Sequence, residues 1–200
     1  MQKREAVESA AELVNHYKGG KMKANTLQEL YVEQLRDLYD AEHQIIKALP
    51  KMISAANSKD LRQALTEHLQ VTKDQATRIE QILERRGEKT KAEKCKGMQG
   101  IIEEGNDLVS KTRDSDVRDA AIIAAAQRVE HYEMAGYGTA RTFATLLEEE
   151  DASELLQQTL NEEKEADQTL TDLSGNVDEN AADRGGMSDG RRMLRSRHVA

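Results

Sequence analysis

Four long stretches of this 200-residue sequence carry apolar residues every three to four positions, and polar side chains break each stretch near its middle. The first stripe reads Leu35, Leu38, Glu42, Ile45, Leu49, Ile53; the second reads Leu61, Leu65, His68, Thr72, Gln75, Ile79, Ile82. The third reads Ala126, Glu130, Glu133, Tyr137, Ala140, Ala144, Leu147, and the fourth Leu156, Leu160, Glu163, Asp167, Leu170. At about 100° per helical residue, Glu130 and Glu133 lie about 60° apart around their axis and Glu163 and Asp167 about 40°, so each pair can point one way. An unpaired carboxylate in an apolar core costs several kcal/mol, and clustered like charges cost more. Glu42, Glu130, Glu133, Glu163 and Asp167 therefore need protons or a countercharge, and no Lys or Arg shares their stripes. Two divalent metal ions would supply it, and hard oxygen ligands suit iron or manganese. His68 reads either as a further ligand or as a hydrogen-bonded core histidine.

The opposing reading is that these acids face water. The fourth stripe is so acidic (Glu162, Glu163, Glu165, Asp167) that chance alone would put a carboxylate on its inner face. Glu130 and Glu133 are the sharper pair, because they sit beside Ala and Tyr in a run otherwise poor in charge. His43 and His131 fall off the stripes. Packing accounts for Tyr31, Tyr39, Tyr132 and Tyr137 more cheaply than redox chemistry does. Cys95 has no histidine at a recognisable spacing, which gives it no catalytic role.

The elements that must position these groups are helices. Hydrophobic residues are 38% of the chain and aromatic residues only 3%, with one Pro and twelve Gly, which excludes a β-sandwich or barrel. Thr26 and Glu29 form a capping-box pattern, from which helix A runs to about Asn57, interrupted only by Pro50. Helix B runs from about Lys59 to Arg86 and stops at Gly87. A polar segment with a short helix around Met98–Leu108 follows. Helix C spans about Asp116–Leu147, and Asp151 or Ser153 caps helix D, which ends near Ser174-Gly175. A–B and C–D are joined by a few residues and must be antiparallel hairpins. About 28 residues join B to C, while a 28-residue helix is about 42 Å long, so this link can travel the bundle's length. Depth agrees: counted back from the turns, Glu42 falls level with Thr72, and Glu130 and Glu133 fall level with Asp167, one turn from Glu163.

The expected architecture is all-α, a ferritin-like antiparallel four-helix bundle with a long crossover between B and C. Residues 1–25 form an N-terminal extension with a short amphipathic helix and linker, 26–174 the bundle, and 175–200 a disordered Arg-rich tail. The net charge of −8 is uneven: +2 on residues 1–25 and +1 on 175–200 leave −11 on the bundle. A bundle that acidic repels nucleic acid, despite Arg191, Arg192, Arg195 and Arg197 in the tail, and could concentrate cations. One cysteine excludes an internal disulfide and suits a reducing cytoplasm. No stretch approaches the ~20 apolar residues of a membrane span.

The segments LYDAEHQIIKALPKM, EHLQVTKDQATRIEQI, RDAAIIAAAQRVEHYEMAGYGT and LNEEKEADQTLTDL resemble the YciE/YciF family of bacterial ferritin-like proteins, over about residues 26–174. The resemblance implies a homodimer, stress-related expression and a dinuclear metal centre. Under it Glu42 is the first-helix carboxylate, Glu130 and Glu133 the E-x-x-E of the third helix, and Glu163, with Asp167, the contribution of the fourth. The chain departs from that pattern in two places. It contains no E-x-x-H, and relatives commonly show Glu-Thr where Val71-Thr72 stands here, which leaves one metal position to His68 or Gln75. Two functions compete: a metal-dependent protein oxidising iron(II) or consuming peroxide, and a non-enzymatic dimeric scaffold with an incomplete site.

Overall fold

A computed structural model describes residues 24–91 and 94–196, with side chains as far as residue 182. The amphipathic helix expected near the N-terminus lies outside the described residues. Five helices and no strand occur among them: α1 (Leu27–Ala55), α2 (Lys59–Arg85), α3 (Lys96–Lys111), α4 (Ser115–Leu146) and α5 (Glu150–Ser196). Helices A, B, C and D are α1, α2, α4 and α5.

Local chemistry sets most of the boundaries. At the start of α1, Thr26 Oγ1 accepts from the Glu29 amide at 3.2 Å and the Glu29 carboxylate accepts from the Thr26 amide at 3.1 Å. This reciprocal box satisfies two helix-end donors. Pro50 lies inside α1, and the helix continues to Ala55. Gly87 ends α2 at φ +69°, with the Gly87 amide on Glu84 O and the Glu88 amide on Leu83 O, both at 2.9 Å. That closure needs a left-handed residue, which glycine adopts without strain. The turn after α4 closes in the same way, Glu149 N on Ala144 O at 2.9 Å, but its left-handed residue is Glu148, at φ 60°.

Named contacts give the helix directions. Leu38 packs over Gly136 while Asn57 meets Asp119, so α1 and α4 are antiparallel. Arg78 meets Glu162 while Arg85 meets Asp151, so α2 and α5 are antiparallel too. The two short hairpins then make α2 and α4 run the same way, as the long crossover requires. α3 sits within that crossover and packs against α1 and α4. The buried Asp119 carboxylate fastens the α1–α2 turn to α4 by accepting from Asn57 N and Ser58 N, each at 2.7 Å.

The interior consists of two apolar clusters. One gathers Ala41, Ile45, Leu49, Leu65, Ile122 and Leu170, with Met98 of α3. The other gathers Leu35, Leu38, Ile79, Ile82, Ala140 and Leu156. In α2, α4 and α5 the polar residues of the stripe fall between the buried residues of one cluster and those of the other, and in α1 Glu42 lies at the edge of the first cluster, next to Ala41.

Two expectations need correction. Helix α5 does not stop at Ser174-Gly175 but continues to Ser196. Val177 is buried beside Leu170 and Leu173, which anchors the helix beyond the glycine. Crossing Gly175 costs only about 1 kcal/mol, and no proline follows Pro50 to end the helix, which goes on through Gly185, Gly186 and Gly190. Helix α5 also begins at Glu150, one residue before Asp151 and three before Ser153, the expected caps.

Replacing Asp119 with Ala should lower stability by about 2–4 kcal/mol, because two turn amides lose a charged acceptor. Glu148→Gly should raise it by about 0.5–1 kcal/mol, relief of the left-handed strain outweighing the added freedom of the unfolded chain. Urea denaturation of the two variants checks both signs.

Candidate metal centre

The inner faces of α2, α4 and α5 bring His68, Glu130, Glu133 and Glu163 together, one ligand atom of each lying within 4.8 Å of all the others. His68 Nε2 stands 3.5 Å from Glu130 Oε1. Glu42 of α1 is fully buried and close enough that its charge acts on Glu130 and Glu133. The stripes read from the sequence are the buried ones: Glu42, Thr72, Gln75, Glu130, Glu133, Tyr137 and Glu163 are all enclosed. His68 is nearly so, its side chain 11% exposed.

Asp167 does not join the cluster. It is partly exposed, accepts from Gln127 Nε2 at 3.3 Å and faces His131 at 3.4 Å. Thr72 is also turned away, donating to the His68 carbonyl of its own helix at 2.8 Å. Gln75 crosses to α5 and donates to Glu163 Oε1. Periodicity did not reveal the roles of two further residues. The Tyr137 hydroxyl donates to Glu42 Oε1, a role hidden by the ring's apolar bulk. Arg78 holds Glu162 with bonds of 2.5 and 2.8 Å, so its charge lies beside the cluster rather than in it. Gly136 leaves no empty space, since a Cβ there would meet Leu38 Cδ2 at 2.7 Å.

Burial dominates the protonation of these groups. It raises the Glu42 carboxyl to about 8, helped by the charge of Glu163 and opposed by the hydrogen bond from Tyr137. It raises Glu163 to about 7, against the bond from Gln75. Glu130 and Glu133 are also pushed well above the carboxylate range, by burial first and by neighbouring carboxylates second. His68 is lowered to about 4 by burial, which keeps the imidazole neutral near pH 7 with a lone pair to offer.

Buried polar atoms are nearly always partnered. Here no N–H or hydroxyl group among the described residues donates to Glu42 Oε2, Glu130 Oε2, either Glu133 oxygen or Glu163 Oε2, and His68 Nε2 is likewise unbonded; only a shared proton within Glu42–Glu133 and Glu130–Glu163 links the carboxyls. Unpartnered oxygens and an imidazole nitrogen converging without a cation form a donor set that fits a divalent metal of intermediate hardness.

The molecule is thus an all-helical bundle enclosing a layer of carboxylates and one histidine. Residues 26–182 match the family described as a domain of unknown function, DUF892. The chain is 45% identical to Protein YciF of Escherichia coli strain K12 over 156 residues, 78% of this chain and 94% of the relative. The crystal structure of the E. coli stress protein YciF superposes with a TM-score of 0.74 over 76% of this chain and 97% of that one. YcfI from Rhodopseudomonas palustris gives the same TM-score of 0.74 at 42% identity, over 76% of this chain and 98% of that one. The chain belongs to the DUF892 family, among the relatives of YciF that its sequence segments resemble.

The raised carboxyls have a consequence for stability. Between about pH 4.5 and 8 the folded chain holds protons that the unfolded chain releases, so its stability falls as pH rises through that window. His68 acts oppositely below about 6.5, where only the unfolded chain takes up its proton. Chelator-treated protein should therefore melt higher at about pH 6.5 than at about pH 8.5, and Glu42→Gln should flatten that slope. Thermal denaturation at the two pH values checks it; a higher melting temperature on the alkaline side would contradict buried, protonated carboxyls.

Proposed function

We propose that this chain is a metal-binding member of the YciF stress-protein family, with a dinuclear iron or manganese centre inside the bundle. The observation that carries this reading is the set of buried, unpartnered ligand atoms on Glu42, His68, Glu130, Glu133 and Glu163. In this reading His68, Glu130, Glu133 and Glu163 would hold metal, and Glu42 would add a carboxylate from α1. Bound metal would supply redox chemistry and Lewis acidity, suited to oxidising iron(II) or consuming peroxide. The protein's part is positional. Tyr137 fixes one oxygen of Glu42 and Gln75 fixes one of Glu163, leaving Oε2 of each without a donor. The two apolar clusters close the layer above and below. A homodimer and a cytoplasmic setting belong to the same reading, the first resting on the family resemblance and the second on the single cysteine. No helix among the described residues is long and apolar enough to cross a membrane.

A second reading is a non-enzymatic dimeric scaffold, favoured by one feature. The bonds from Tyr137 and Gln75, together with protons on the raised carboxyls, can neutralise much of the layer without metal.

Elemental analysis of protein purified without chelators, from cells supplied with iron and manganese, separates the two. About two ions per chain are expected, as in dinuclear carboxylate bundles. The Glu130→Gln/Glu133→Gln variant should bind almost none while keeping its helicity by circular dichroism. Unchanged stoichiometry in that variant would remove the assignment. Metal-free wild type whose melting curve ignores added iron(II) would establish the scaffold.

A further inference from the structure

Two voids touch the cluster, and their chemistry differs. One, of about 20 Å³, is walled by side chains such as Ile45, Leu49, Ile101 and Ala125 before it reaches His68 and Glu130. At about 30 Å³ per water molecule it has no room for a hydrated ion, and its apolar walls offer one no ligand. The other is a pocket of about 280 Å³ between α2 and α5 that also reaches His68 and Glu130. It has room for several waters, enough for a divalent ion with its hydration shell.

The larger pocket grades from solvent to site. Glu67 and Glu165 on its lining are exposed, Glu162 is half-buried, and Glu130 is buried. No Lys or Arg lines it among the described residues. Arg78 largely neutralises Glu162, so Glu67 and Glu165 carry the negative potential. Such a lining raises the local concentration of cations. An independent observation lies at its inner end: Glu130 Oε2 and His68 Nε2 are buried, unpartnered, and belong to residues lining this same pocket. Val71 and Ala166 form part of its lining, one from each helix. A valine at position 71 leaves width that a longer side chain would fill.

We propose that this α2–α5 pocket is the route by which a divalent cation reaches the centre, with Glu67 and Glu165 capturing the hydrated ion and Glu130 and His68 receiving it. The inference rests on the reading of the cluster as a metal centre, and adds the direction of approach and the residues that serve it. Capture exchanges water ligands for carboxylate oxygens one at a time. The ion is never stripped in a single step, which would be slow for a hard divalent cation.

The test uses the chelator-stripped full chain with cobalt(II) as the probe, its visible absorption reporting ligation. Equilibrium titration of the wild type comes first. No cobalt bound at that stage overturns the metal-centre reading itself, and the route with it. If the wild type binds, stopped-flow mixing compares Val71→Phe and Ala166→Leu, which narrow the pocket from opposite walls, with Glu67→Gln/Glu165→Gln. Both narrowing variants should load roughly tenfold slower or more, to the same final stoichiometry. The double Gln variant should load severalfold slower at low salt, the difference vanishing at high salt. Narrowed variants that load at the wild-type rate, or that both lose stoichiometry, overturn the route. So does a double Gln variant that is unaffected at low salt.

Discussion

Four carboxyls buried in one layer without an equivalent countercharge are the constraint around which this bundle is arranged. Ionised together in a dry interior they would repel one another strongly, and each also loses its hydration. The two apolar clusters gather enough aliphatic surface from all four long helices to hold the layer closed against that cost. Hydrogen bonds settle only part of it: Tyr137 answers one oxygen of Glu42, and Gln75 one of Glu163. Arg78, the nearby cation, is committed to Glu162. The remaining charge falls to protons or to metal.

Protons and metal then compete for the same atoms. With Glu42 near 8 and Glu163 near 7, a metal-free chain at neutral pH keeps much of the layer protonated and can fold without a cation. A metal must displace those protons, so its affinity rises with pH just as the metal-free fold weakens. His68 is the exception within the set, since its depressed pKa leaves no proton to displace at neutral pH. Glu130 and Glu133 beside it are themselves pushed well above the carboxylate range, so a cation on the His68 side would still have protons to displace.

Much of this was legible in the sequence, for identifiable reasons. A 3.6-residue period places a side chain on a helix face, so the stripes through Glu42, Thr72, Glu130 and Glu163 were read correctly from spacing alone. Spacing resolves direction only to some tens of degrees, and Asp167 shows the consequence: at about 40° from Glu163 it turns out to Gln127 and His131. Periodicity also cannot see the polar end of an otherwise apolar side chain, so Tyr137 read as packing. Asp119 shows a different limit. Its role is to cap a turn 61 and 62 residues away in sequence, and nothing local marks it. Gly175 looked like a helix stop because glycine often is one, but a buried valine two residues later outweighs that preference.

Family membership explains the backbone more fully than the chemistry. At 45% identity the relative shares the helices and their packing, while reactivity depends on a handful of positions inside them. Val71 is the telling one. It sits one helical turn from His68, on the lining of the pocket that leads to the layer. A carboxylate there would supply a further ligand and a further charge, and would narrow the approach. Valine gives up the ligand and leaves the approach open. The centre of this chain is therefore asymmetric by composition: three carboxylates and an imidazole converge on its His68 side, while Glu42 stands opposite with one oxygen already engaged. A cation entering the layer would therefore meet two unlike donor sets, one with an imidazole and one without.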